Sequence, residues 1–114
     1  MLNTCNFMGN LVADPKYYDG ENPRAVFTLA VDRDYRGEEG EQTSDFLEFV
    51  VWKSTADFVQ KYFKKGDLMV VCNSKARVRT YVGGDGEQKR TIQFVDGKVY
   101  FGAQRRREDK EDEE

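Results

Sequence analysis

Apolar and polar residues alternate over several short stretches of this chain, and a period of two is the signature of β-strands. Residues 2–12 open the series, with a bulge or bend expected at Gly9-Asn10, where glycine interrupts the pattern. In residues 25–32, Phe27, Leu29 and Val31 share one face, while Val26, Thr28 and Ala30 share the other. In residues 45–52, Leu47, Phe49 and Val51 form one row and Phe46, Glu48, Val50 and Trp52 the opposite row. Residues 68–81 read as a long fourth strand, followed by returning strands over 89–95 and 98–101 joined by the tight-turn pair Asp96-Gly97. Turn chemistry separates these runs at Asp14-Pro15 and at residues 18–23. Polar, glycine-bearing tips at residues 36–41 and 83–86 mark two long hairpins.

One segment follows a different period. Phe58, Val59, Tyr62 and Phe63 recur at helical spacing, which predicts a helix over 55–64. Ser54 is placed to cap it, Asp57 completes a capping-box pattern, and Gly66 stands where a helix ends. The order is strand, strand, strand, helix, strand, strand. That is the order of an all-β, five-stranded OB-fold barrel with one short helix between its third and fourth strands. The helix is expected to plug one end. Residues 1–104 form the expected domain; the apolar pattern stops after Ala103, and residues 105–114 read as a charged, disordered tail.

The net charge of −3 argues at first against a polyanionic partner. Four of the 18 basic and six of the 21 acidic side chains fall in residues 105–114, so the remainder stands at −1. A nearly neutral body can still carry a basic groove if its acids lie elsewhere. The most informative stretch is Lys75-Ala76-Arg77-Val78-Arg79-Thr80-Tyr81. On a strand, Lys75, Arg77, Arg79 and Tyr81 point one way, and Ala76 and Val78 the other, toward the core. Three cations in a row repel one another and folding does not require them, whereas a polyanion crossing that face explains them.

A second signal lies in the strand over 45–52. Its inward row is already supplied, so Phe46 and Trp52 must face outward or meet another subunit. An exposed ring beside a barrel is a stacking platform for an unpaired base; subunit interfaces also favour aromatics. Arg33, Tyr35 and Arg36 repeat the mixture of ring and cation where the second strand enters its hairpin loop, and Lys53, Lys89 and Arg90 extend the basic track. Together these residues define a candidate surface for single-stranded DNA.

Catalysis is poorly provided for. The chain has no histidine, its two cysteines, Cys5 and Cys72, lie far apart, and no CxxC spacing exists, so neither a metal nor another cofactor is expected. The thiols read as small, buried or half-buried side chains of a reducing compartment. Asp85 and Glu87 lie near Arg90, but on a glycine-rich tip that would hold no metal rigidly. The Gly83-Gly84-Asp85-Gly86 string lacks the lysine and hydroxyl of a phosphate-cradling loop. No apolar run is long enough to span a membrane, and no signal segment opens the chain, so a soluble, cytoplasmic, nucleoid-associated protein is expected.

The chain resembles the bacterial single-stranded DNA-binding protein family from Leu2 to about Phe101. The matching pieces are Asn6-Phe7-Met8-Gly9-Asn10-Leu11 with Asp14-Pro15, Phe27-Thr28-Leu29-Ala30-Val31, and Asp45-Phe46-Leu47-Glu48-Phe49-Val50-Val51-Trp52. Tyr62-Phe63-Lys64-Lys65-Gly66 and Arg77-Val78-Arg79-Thr80-Tyr81 complete them. The resemblance implies an OB fold assembled as a homotetramer, with DNA wrapped around it during replication, recombination and repair. It also implies stacking positions at Tyr35, Phe46, Trp52 and Tyr81, with ring types that differ from the commonest pattern. Family members commonly end in an acidic tip with terminal hydrophobic residues that recruits replication and repair proteins; here residues 111–114 carry the acids without the apolar residues. An OB protein that binds RNA, or that scaffolds a primosome, would share the same pattern of strands.

Overall fold

The computed structural model describes residues 1–34 and 43–102. Its elements follow in the order β1 (Cys5–Leu11), β2 (Lys16–Tyr18), β3 (Arg24–Asp32), β4 (Ser44–Trp52), α1 (Lys53–Tyr62), β5 (Leu68–Val82), β6 (Gln88–Val95) and β7 (Lys98–Phe101). β1 pairs with β3, β3 with β4, β4 with β6, and β6 with β5, which returns to β1. Five strands therefore close a ring, and α1 stands between the third and fourth of them, as the sequence order requires. The β4–β6 ladder is parallel; the others are antiparallel. β7 flanks the first half of β5. β2 is an addition to the expected order: Lys16–Tyr18 lies between two turn signals yet pairs residue for residue with the start of β3.

The ring closes around Phe49. The Phe27 ring stacks on it with centroids 5.4 Å apart, and Phe7 and Phe94 approach at 5.5 and 5.3 Å. Leu29, Val51, Met69 and Val71 fill the remaining interior. These are the inward rows of the alternation, and their burial is the main force closing the ring. Gly9 stands where β1 passes from β5 to β3, and a Cβ there would lie 2.5 Å from the carbonyl oxygen of Ala30. The glycine thus allows two backbones to approach closely; of the bulge or bend expected at Gly9-Asn10, the bulge is not formed, because the register is regular there.

The irregularity lies instead at the other end of the ladder, between Cys5 and Phe7 of β1. There Asn73 of β5 adopts a φ of 57° and donates its backbone N–H to the Asn6 side chain. An extra residue flips the alternation. Met69 and Val71 point inward before it, and Ser74 and Ala76 after it. Lys75, Arg77 and Arg79 consequently face out.

Two details of the expected core require correction. Val78 is 61% exposed and lies opposite Ile92, which is 56% exposed, because beyond Ala76 the β5–β6 hairpin leaves the ring as a two-stranded arm. The helix begins two residues before its expected start, and Trp52 rather than Ser54 occupies the capping position, with no side-chain cap. Lys53 makes the corner with a φ of 55° while its N–H donates to the Pro23 carbonyl at 2.7 Å. Asp57 accepts the Tyr17 hydroxyl at 2.5 Å instead of completing a capping box. α1 buries Ala56 and Val59, and Phe63 just beyond it is buried as well, so this segment covers one end of the ring. Among the described residues, no helix is long and apolar enough to cross a membrane.

Candidate nucleic-acid interface

Paired residues in neighbouring strands share a face, so the register of the ladders defines the outer surface. Across β3–β4, Arg24 faces Trp52, Val26 faces Val50, Thr28 faces Glu48 and Ala30 faces Phe46. Tyr18 and Lys16 of β2 continue this row beyond Arg24 and Val26. On the other side, Glu48 faces Gln93 of β6, which faces Arg77 of β5; Thr91 then faces Arg79, and Lys89 faces Tyr81. One continuous surface thus runs from β2 to the tip of the β5–β6 arm.

Three of the expected rings lie on it. Phe46 is 61% exposed, and Trp52 and Tyr81 are each 39% exposed. The Arg79 guanidinium sits over the Tyr81 ring, 5.7 Å from its centroid, and 3.8 Å from Glu48 Oε1. Lys75, Arg77 and Lys89 join Arg79 on the same surface, with Lys89 Nζ 3.6 Å from Asp85 across the arm's tip.

The five other expected residues fare differently. Arg90 faces Thr80, on the opposite side of the arm from Lys89, so the strand alternation separates this adjacent pair. Arg33 grips Asp45 with two prongs, Nη2 to Oδ1 at 2.8 Å and Nε to Oδ2 at 3.2 Å. That pairing holds the Asp45 carboxyl below its ordinary range, against a smaller opposing effect of desolvation. Lys53 is exposed at the start of α1, beside Trp52 but outside the ladder rows. Tyr35 and Arg36 lie outside the described residues.

The surface dips next to Trp52 into a hollow of about 330 Å³. Its lining includes Val26 and Val50, with Trp52, Tyr18 and Arg24 beside them; Lys16 and Arg79 bring further positive charge, and Glu48 and Gln93 complete it. Arg24 packs over the Tyr18 ring at 4.6 Å. Lys16, Tyr18 and Arg24 were absent from the expected site. As a strand, Lys16-Tyr17-Tyr18 places Lys16 and Tyr18 on one side and Tyr17 on the other, and Arg24 joins them as the partner of Tyr18. Tyr17 turns toward α1, where its bond to Asp57, aided by desolvation, pushes its pKa up to about 12.

Among the described residues, no three His, Cys, Asp or Glu side chains gather as metal ligands. Asp85 accepts the Glu87 backbone N–H at 3.0 Å and shapes the arm's tip. Cys5 and Cys72 are unbridged, half-buried thiols.

The model of the single-strand binding protein family matches residues 2–101. The chain belongs to that family. The fold is therefore an OB fold, its closed ring of five strands carrying α1 between the third and fourth. Among similar proteins, the single-stranded DNA-binding protein 3 of Listeria innocua is 36% identical over 103 residues, 89% of this chain and 64% of that protein. A single-stranded DNA-binding protein of Bacillus cereus is 33% identical over 114 residues, 92% of this chain and 66% of its own length. The single-stranded DNA-binding protein 1 of Clostridium acetobutylicum is 36% identical over 103 residues, 88% of this chain and 93% of that protein. The chain thus spans just under two thirds of the Listeria and Bacillus relatives and nearly all of the Clostridium one.

Proposed function

We propose that this chain binds single-stranded DNA without a catalytic step and with broad tolerance of sequence, protecting it during replication, recombination and repair. The observation that carries this reading is the single outer surface on which Phe46, Trp52 and Tyr81 are exposed among Lys75, Arg77, Arg79 and Lys89. Exposed rings offer their faces to any base once its partner strand is gone, and each such stack is worth about 1–3 kcal/mol. The cations beside them neutralise the phosphates between successive bases. A duplex keeps its bases stacked inside and cannot use the rings. Lys16, Tyr18 and Arg24 extend the same surface toward β2. Lys53 borders it, and Tyr35 and Arg36 belong to the proposed path by their sequence positions. Arg33 and Arg90 contribute less, the first because its charge is shared with Asp45 and the second because it faces away.

The names of the relatives support the same ligand. A homotetramer, a cytoplasmic and nucleoid-associated location, and replication or repair proteins as partners belong to this reading. The test is a mobility-shift competition in which labelled oligo-dT is challenged with unlabelled duplex and unlabelled oligo-U. Retention against both supports the reading. Displacement by an equal amount of duplex contradicts it, and displacement by oligo-U shifts the assignment to RNA, whose 2′-hydroxyl a dedicated site would read. Sedimentation tests assembly: a tetramer supports the proposal, and a concentration-independent monomer removes it.

A further inference from the structure

Glu48 brings the one carboxylate to the hollow beside Trp52, on a surface otherwise built to meet phosphates. Its Oε1 accepts Gln93 Nε2 at 2.5 Å and lies 3.8 Å from Arg79 Nη1. A negative charge at this position repels the backbone of a nucleic acid, so a strand crossing here is favoured with its phosphates at the cationic rim and a base turned inward. The hollow suits a base. Val26 and Val50 give it an apolar lining, Trp52 supplies a ring, and its volume of about 330 Å³ is that of a small-ligand site.

Building on the single-stranded DNA reading, we infer that Glu48 reads the base held in this hollow and favours one bearing an exocyclic amine, cytosine above thymine or uracil. Both partners of the carboxylate are donors, so it stands as an acceptor, and a carboxylate has room for about four hydrogen bonds. Cytosine presents an amine at its 4-position, which a glutamate accepts. Uracil and thymine present a carbonyl oxygen there, and two acceptors facing each other repel. The preference is modest and confined to one base among those covered, which is compatible with broad tolerance along the rest of the strand.

Deoxycytidine and deoxyuridine match in ring size and differ along the edge that Glu48 would read. Fluorescence anisotropy of labelled oligo-dC and oligo-dU of equal length, at mildly alkaline pH, isolates that edge. The expected result is oligo-dC binding about fivefold more tightly, the lower end of what one base-edge contact discriminates. Glu48→Gln should bring the ratio close to one, because the amide can donate to the uracil carbonyl as well as accept from the cytosine amine. Glu87→Gln, which removes a charge at the arm's exposed tip, should leave the ratio as it was. Equal affinities in the unaltered chain would overturn the inference, as would a preference that survives Glu48→Gln. Either result leaves the single-strand reading standing, whereas failure to bind both oligonucleotides overturns the two together.

Discussion

Tyr17 and Asp57 are 40 residues apart in sequence, and their side chains meet at 2.5 Å, hydroxyl to carboxylate. The bond ties β2 to α1, and strand alternation then turns Lys16 and Tyr18 outward into the hollow beside Trp52. A contact on one side of a three-residue strand thereby sets what its other side presents.

That bond also has a titration signature. The folded-state pKa of Tyr17, about 12, lies above its ordinary 10.0. A raised pKa adds stability that is fully present below the unfolded value and is lost as pH rises through the folded one. Thermal melts of the unaltered chain and Tyr17→Phe should differ below pH of about 10 and converge toward 12. Tyrosinate absorbance should show a phenol titrating toward 12 that is missing in the variant. A constant difference in melting temperature across that window would refute the assignment.

Asp45 shows the opposite sign. Arg33 lowers its pKa, so the pair stabilises the fold above the carboxyl's ordinary range, and the contribution fades as pH falls through the depressed value. Arg33→Ala should return the Asp45 titration, followed by carboxyl NMR, toward its usual position. The same substitution should weaken DNA binding less than Arg79→Ala, because the Arg33 charge is already engaged at 2.8 Å. Equal losses would place Arg33 among the main phosphate contacts.

The arm offers a two-sided comparison. Replacing Arg77 and Arg79 together by Ala should flatten the dependence of log affinity on log salt by about 1.4, from about 0.7 per single-strand phosphate contact. Arg90→Ala should leave the slope nearly unchanged, because Arg90 faces Thr80 on the reverse of the arm. Titrations at several salt concentrations read both. A larger change from Arg90 would mean that the strand runs along the other side.

At Gly9 the expected effect is on stability alone. An added methyl would meet the Ala30 carbonyl at 2.5 Å, and forcing these backbones apart should cost about 1–3 kcal/mol, read from urea denaturation of Gly9→Ala. An unaltered midpoint would show that β1 shifts freely.

Much of this architecture is legible in the sequence because burial obeys alternation. Phe27, Leu29, Phe49 and Val51 announce an inward row, and the exposure of Phe46 and Trp52 follows from it. Alternation falters where the backbone breaks its own period. Asn73 inserts one residue into β5, and no local composition signalled that Met69 and Ala76, of opposite parity, would both face inward. It also says nothing of where a strand leaves the ring, which is why Val78 is apolar yet exposed. Lys89 and Arg90 look like one basic feature until pairing puts them on opposite sides. Lys16 and Tyr18 are harder to read because a three-residue strand between turns is too short to show a period, and Arg24 because it stands one residue before the alternation of residues 25–32 begins.

The most direct measurement uses Trp52, the chain's single tryptophan. Its emission should be quenched and saturate as oligo-dT is added, with duplex competitor present throughout, because an unpaired base stacks on its half-exposed ring. Emission that stays unchanged at saturating oligo-dT, while anisotropy reports binding, would contradict stacking at the centre of this surface.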